Sequence, residues 1–123
     1  MNEIKSKLPY VLFKSGDSEY RLKFSAGAAV DTEKRLKCSV IDAVSKIDSI
    51  TVQIALLFGA LQKYHHEISM SDTEKIYEKY LDNGGSVLEF AEILMEVYII
   101  SGFTKKEQGE KAMKIMESMN TTV

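Results

Sequence analysis

Polar and apolar residues alternate strictly through Glu19–Phe24, with Tyr20, Leu22 and Phe24 on one side and Glu19, Arg21 and Lys23 on the other. Successive side chains of a strand point to opposite faces, so the run reads as a strand with one buried and one wet face. Upstream, Tyr10–Lys14 is rich in β-formers. Ser15-Gly16-Asp17-Ser18 between the two runs is a turn by its chemistry: Gly16 reaches positive φ without penalty, and Asp17 can bond its own backbone. Pro9, the only proline, suits the start of a strand, where no ladder donor is needed. The pattern predicts an N-terminal antiparallel hairpin over about residues 10–24. Its apolar face must rest on helices or on another chain, because a lone hairpin is marginal in water.

From Ala26 the period becomes helical. Ala26–Lys37 and Ser39–Ile47 are the weaker segments, parted near Cys38-Ser39. Ile50–Tyr64 is stronger, and its stretch Ile54–Leu61 is apolar all round, which belongs in an interior or against a partner. Three later helices mark their own starts. Ser71-Asp72-Thr73-Glu74, Ser86-Val87-Leu88-Glu89 and Thr104-Lys105-Lys106-Glu107 each fit a capping box, the hydroxyl accepting from the third helical amide and the Glu reaching back. Gly84-Gly85 and Gly102 close the first two, since a left-handed residue past a helix end favours glycine.

On Ser71–Asn83 the apolar residues Ile76, Tyr77, Tyr80 and Leu81 make one stripe, the mark of a surface helix. Ser86–Ser101 is charged only at Glu89, Glu92 and Glu96, a thin acidic line, and otherwise presents Phe90, Leu94, Val97, Tyr98 and Ile100; it reads as a central helix. Lys105–Met119 carries Ala112, Met113, Ile115, Met116 and Met119, and residues 120–123 read as a loose end. The fold expected is α+β and mostly α: a hairpin, then a bundle of four or five helices over about residues 26–119, in one domain of residues 1–123.

Composition narrows the chemistry. With 123 residues, 45% hydrophobic and 28% charged, the chain is an ordinary folded domain, not a disordered tail or a fibre. Sixteen basic against 18 acidic residues, a net charge of −2, give no support to non-specific nucleic-acid binding. Cys38 is the only cysteine, so no internal disulfide can form. Met1–Lys7 has no apolar run of the kind that directs secretion, and Ile54–Leu61 is far short of the roughly 20 residues of a membrane span. No membrane and a cytoplasmic location are expected.

The search for reactive groups finds little. His65-His66-Glu67 is the one cluster that looks metal-like, but helical neighbours diverge by about 100° and the chain has no further histidine to complete a shell. Histidine at the negative end of a helix is the better reading. Glu89, Glu92 and Glu96 on one helix face suit water or a basic neighbour better than acid–base chemistry. Cys38 has no recognisable base beside it, and no phosphate loop or nucleophile elbow occurs. No catalytic residue, metal or cofactor is expected.

Binding is the stronger theme. Methionine is flexible and polarizable, so a face with Met113, Met116 and Met119 can adapt to irregular apolar partners. Gly109 weakens that last helix by up to about 1 kcal/mol relative to alanine. Two helices apolar around most of their circumference exceed what so short a chain is expected to enclose. Another chain should therefore cover some of that surface, by self-association, by a hydrophobic client, or both. The residues expected to meet it are Leu57, Phe58, Leu61, Ile100, Met113, Ile115, Met116 and Met119.

The order of elements resembles the tail assembly chaperones of long-tailed bacteriophages and prophages. The matching features are the strand Tyr20–Phe24, a helix with Val30, Glu33 and Leu36, and a break into Ser39-Val40. The apolar Leu56–Leu61 follows, then Ile68-Ser69-Met70-Ser71 opening a tyrosine-bearing helix, and a long apolar helix closing at Ser101-Gly102-Phe103. The resemblance covers about residues 19–103. It implies a small, mostly helical, non-enzymatic protein that binds the aggregation-prone tape measure protein in the host cytoplasm and helps tail tube protein assemble around it. It also implies absence from the finished virion, and a longer form made by ribosomal frameshifting in many members. A small homo-oligomeric structural protein of a phage tail or head–tail junction is the alternative, since such proteins also join a hairpin to helices.

Overall fold

The computed structural model describes the backbone of residues 8–121 and the side chains of residues 8–119, so the expectation for Met1–Lys7 lies outside the described residues. The elements are β1 (Val11–Ser15), β2 (Ser18–Leu22), α1 (Ala26–Leu36), a 3-10 turn (Asp42–Lys46), α2 (Ile50–Leu61), α3 (Met70–Asp82), α4 (Val87–Ile100) and α5 (Lys106–Thr121). The fold is α+β and mostly α: an antiparallel hairpin followed by five helices.

The hairpin pairs Ser15 with Ser18, Phe13 with Tyr20 and Val11 with Leu22. Gly16, with φ of 62°, is the first of two turn residues and Asp17 stays at negative φ, the pattern of a type II′ turn that matches the twist of the strands. Phe13, Ser15 and Leu22 face the core, and the buried Ser15 hydroxyl donates to the Ile76 carbonyl at 2.7 Å. The outer edge of β2 is covered by the end of α2. The Arg21 amide donates to Nε2 of His65 at 2.9 Å, and the Lys23 amide to the Ala60 carbonyl at 3.1 Å.

Ser25 caps α1, and Lys37, at φ 61°, ends it in the left-handed region. There the sequence does break, but the following Ser39–Ile47 is not an α-helix; it is a loop with a five-residue 3-10 turn. Two long-range bonds pin it: the Glu33 carboxylate accepts from the Val40 amide at 2.8 Å, and the Tyr98 hydroxyl donates to the Val40 carbonyl at 2.6 Å.

Two predicted helix starts move. At α3 the capping box is made by Ser69 and Asp72, not Ser71 and Glu74: the Ser69 hydroxyl accepts from the Asp72 amide at 3.0 Å and the Asp72 carboxylate from the Ser69 amide at 3.1 Å. The two overlapping motifs are chemically alike. The earlier start lets the buried Thr73 hydroxyl donate to the Ser69 carbonyl at 2.8 Å. At α5 Thr104 is not the cap; the Gln108 side chain reaches back to accept from the Lys105 amide at 3.3 Å. Ser86 does cap α4, accepting from the Glu89 amide at 3.1 Å. The backbone helix of α5 continues to Thr121, so the end read as loose at residue 120 is in part helical, and the remainder lies outside the described residues.

The core corrects a larger expectation. The inner faces of α2 and α4 are enclosed within this chain. Leu56, Leu57, Ala60 and Leu61 of α2 and Phe90, Leu94, Val97 and Tyr98 of α4 have no exposed surface. Their cover comes from residues 13–47 as well as from α3: Phe13, Leu22, Phe24, Val40, Ala43 and Ile47 are all buried in the same cluster. Most of the apolar helix surface read from the sequence is used internally, while Ile99 and Ile100 of α4 stay half-buried. One polar residue sits at the centre, fully satisfied. Gln53 donates to the carbonyls of Ile47 at 2.7 Å and Val87 at 2.9 Å, and accepts from the Tyr77 hydroxyl at 2.5 Å. A buried amide with every group paired costs little and fixes how α2, α3 and α4 meet.

Candidate binding groove

Helix α5 returns over α4 after a tight reversal. Gly102 takes φ of 81°, and the Phe103 amide donates to the Tyr98 carbonyl at 2.9 Å, which closes α4 as glycine-terminated helices close. Phe103 then packs edge-on against Tyr98 and tilted against Phe24, anchoring the reversal in the core. From there α5 lies on α4 through Gly109, Ala112, Met113 and Met116, positions spaced as one helical stripe. Gly109 is what lets the axes approach: a Cβ there would stand 2.5 Å from Cδ1 and 2.6 Å from Cγ1 of Ile99. The glycine that looked like a weakness in the helix is a contact point.

Along one side of this pairing runs a groove of about 560 Å³. Its apolar part comes from Val11, Ile99, Ile100 and Met113, with Tyr10 at the β1 end. Its rim carries Glu92 and Glu96 from α4, and Lys106, Glu110, Lys114 and Glu117 from α5. Four carboxylates against two ammonium groups make the lining acidic on balance. Met113 offers the adaptable thioether surface expected of it.

The residues expected to meet a partner separate into four places. Leu57 and Leu61 have no exposed surface and Met116 has 7%, so all three belong to the core and the partner role assigned to them is corrected. Ile100 and Met113 come together in the groove. Ile115 and Met119 stand on the outer side of α5, 64% and 47% exposed. Phe58 is half-buried elsewhere, beneath the Arg35 guanidinium at 5.3 Å from its ring, beside a shallower hollow of about 250 Å³ between α1 and α2. Sequence reasoning missed Tyr10, Val11 and Ile99. The acidic line on α4 was the available signal, since Glu92 and Glu96 of that line stand on the groove wall.

Other groups of interest serve structure. His65 is an acceptor for the Arg21 amide and packs edge-on against Tyr20. Burial, only partly opposed by Glu67, holds its pKa below the usual histidine value. Burial likewise pushes the Tyr80 phenol up to about 12 and the Tyr98 phenol well above the ordinary range, so both stay protonated at neutral pH. Among the described residues no three His, Cys, Asp or Glu side chains gather as a metal site, and no helix is long and apolar enough to cross a membrane.

Residues 10–123 match the family described as Family of unknown function (DUF6096), and the chain belongs to that family. No curated protein and no solved structure matches it.

Proposed function

We propose that this member of the DUF6096 family is a non-catalytic binding protein of the phage tail assembly chaperone kind. It works in the host cytoplasm and covers apolar helical segments of a tape measure protein until tail tube subunits replace it. The observation that carries the reading is the groove where Ile99, Ile100 and Met113 meet. An amphipathic helix laid into a groove is a recurrent mode of recognition, with apolar anchors supplying affinity and methionine tolerating varied shapes. The neighbouring Ile115 and Met119, exposed on the same helix, extend the apolar surface without adding to the core. The order of elements supplies the specific form of the proposal, as set out from the sequence.

The test is co-purification of tape measure protein with Ile100→Asp, Met113→Asp and Ile115→Asp chains, each checked for folding by circular dichroism. A carboxylate in the groove should lower capture at least tenfold for the first two, through the cost of desolvating a charge against the client. Unchanged capture by folded Ile100→Asp and Met113→Asp chains would end the assignment of the groove. A stable ring of this chain alone, found in purified virions, would favour a structural component instead.

A further inference from the structure

The outer face of the hairpin differs in charge from the chain as a whole. Phe13, Ser15 and Leu22 point into the core. Leu12, Lys14, Glu19 and Arg21, at the alternate positions of the two strands, therefore stand on the solvent side. Leu12 is 50% exposed and lies directly opposite Arg21. The Arg21 guanidinium stands over two tyrosine rings, 5.3 Å from the centre of Tyr10 and 6.0 Å from that of Tyr64. Those rings meet edge to face at 5.4 Å, and the Lys63 ammonium is 5.8 Å from the Tyr64 ring. Among the described residues no carboxylate pairs with Lys14, Arg21 or Lys63. Glu19, across from Lys14, is the one acid on the strands' outer side. A chain of net charge −2 keeps three unpaired cations here, around an exposed leucine and two half-buried tyrosines.

Ring contacts restrict the guanidinium without using its donors, so its N–H groups remain for a carboxylate, whose two oxygens match the arginine fork. The strand beneath is held as well, because the Arg21 amide donates to Nε2 of His65, the residue after Tyr64. Arginine and tyrosine beside an apolar side chain are the residues on which protein interfaces concentrate their energy. A nucleobase would need a ring face to stack on, and cations already stand over both tyrosines. We propose that this face docks an acidic segment of a partner protein. One partner carboxylate meets the Arg21 guanidinium, others lie near Lys14 and Lys63, and an apolar side chain among them covers Leu12. Tyr10 also lines the groove, so the two surfaces adjoin, but the occupant of this one is independent of any client there.

The probe is a terminally blocked hexapeptide of glutamate and leucine, titrated into the full chain and followed through amide and methyl resonances. Signals of Leu12, Arg21 and Tyr64 should shift and saturate while those of the core residues Leu56 and Ile76 stay, and about 0.5 M salt should weaken binding. Arg21→Gln, at an exposed position, should keep the wild-type melt and lower affinity at least about tenfold, the worth of a hydrogen bond to a charged group. Arg21→Lys keeps the charge but loses the fork, and should fall between the two. The same peptide with glutamine in place of glutamate should not bind. Equal binding of the glutamine peptide would make the face merely apolar and overturn the proposal. Unchanged affinity in the folded Arg21→Gln chain would overturn it too, as would the absence of any shift at millimolar peptide. Oligothymidylate that shifts these residues at lower concentration than the peptide would make the face a nucleic-acid surface instead.

Discussion

Helix α2 carries Ile50, Ile54, Leu56, Leu57, Phe58 and Leu61, α5 only Met113, Ile115, Met116 and Met119, and the two end in opposite situations. Gln53, Leu56, Leu57, Ala60 and Leu61 of α2 are wholly enclosed, whereas Ile115 of α5 is 64% exposed. Position in the chain explains much of this. Helix α2 has β2, α1, α3 and α4 against it, elements from both sides of it in sequence, while α5 is last and packs chiefly on α4. The docked stripe of α5 is also thin: a glycine, an alanine and two methionines. An element with one neighbour and a narrow apolar stripe sits at the low end of a protein's local stability, where binding surfaces are found. Apolar content alone does not mark a binding helix; the number of elements that can fold over it decides.

The largest expected effect breaks that contrast at its root. Leu57→Asp places a carboxylate in a site with no exposed surface, so the chain should fail to fold or aggregate. Ile115→Asp, by comparison, should change stability by no more than about 0.5 kcal/mol, since surface substitutions away from special features usually do. Thermal melts followed by circular dichroism compare the two. A Leu57→Asp chain that melts with the wild type would show that α2 is not the centre of the fold.

A smaller effect separates two helical glycines. At Gly59 an added Cβ would land on the Thr32 hydroxyl and the Phe24 ring, both themselves buried, so neither can step aside. Gly59→Ala should cost about 1–3 kcal/mol as an overpacked core does. At Gly109 the same methyl meets Cδ1 and Cγ1 of the half-buried Ile99 and, at 3.3 Å, the Thr104 hydroxyl, flexible side chains at the edge of the fold rather than buried ones. The helix also gains up to about 1 kcal/mol from the better helix former, which offsets part of the cost of moving Ile99, so Gly109→Ala should cost less than Gly59→Ala. Urea midpoints in the opposite order would mean that α5, not α2, is the tightly held helix.

Much of this architecture could be read from residues alone because local chemistry and the core agreed. Gly16-Asp17 set the turn, Leu22 and Phe24 set the buried face, and Ser86 set the start of α4. Where two local solutions were equivalent, tertiary contacts chose, as with Ser69 over Ser71. How much apolar surface the chain encloses by itself was harder to read. The cover over α2 and α4 is supplied by Val40, Ala43 and Ile47 from a segment without regular α-helix, and no periodicity announces such a contribution. The groove was half legible for the same reason: Ile100, Met113 and the acidic line lie on regular helices, while Tyr10 and Val11 reach it through the placement of the hairpin.

The smallest expected effect sharpens the contrast by pH. His65 accepts the Arg21 amide through Nε2, which only a neutral imidazole can do, and that bond ties the edge of β2 to the turn after α2. Burial lowers the folded-state pKa below 6.5, with Arg21 adding to the shift and Glu67 opposing it. The unfolded chain therefore binds the proton first on acidification. The contribution is whole above the unfolded value and drains away as pH falls through the lower folded one. The loss should not exceed the net worth of one hydrogen bond, about 1 kcal/mol. The Asp72 carboxylate in the α3 cap, held below its ordinary range by the Ser69 amide, weakens only at more acid pH, so measurements down to about pH 5 isolate the histidine. Amide exchange should quicken around Arg21 and the end of α2 between pH 7.5 and 5, beyond its intrinsic pH dependence, while the α5 amides keep their protection. His65→Gln, whose amide oxygen accepts without titrating, should remove that difference. Equal loosening of α5 would place the acid-sensitive joint between the last two helices and reverse the ranking of the two regions.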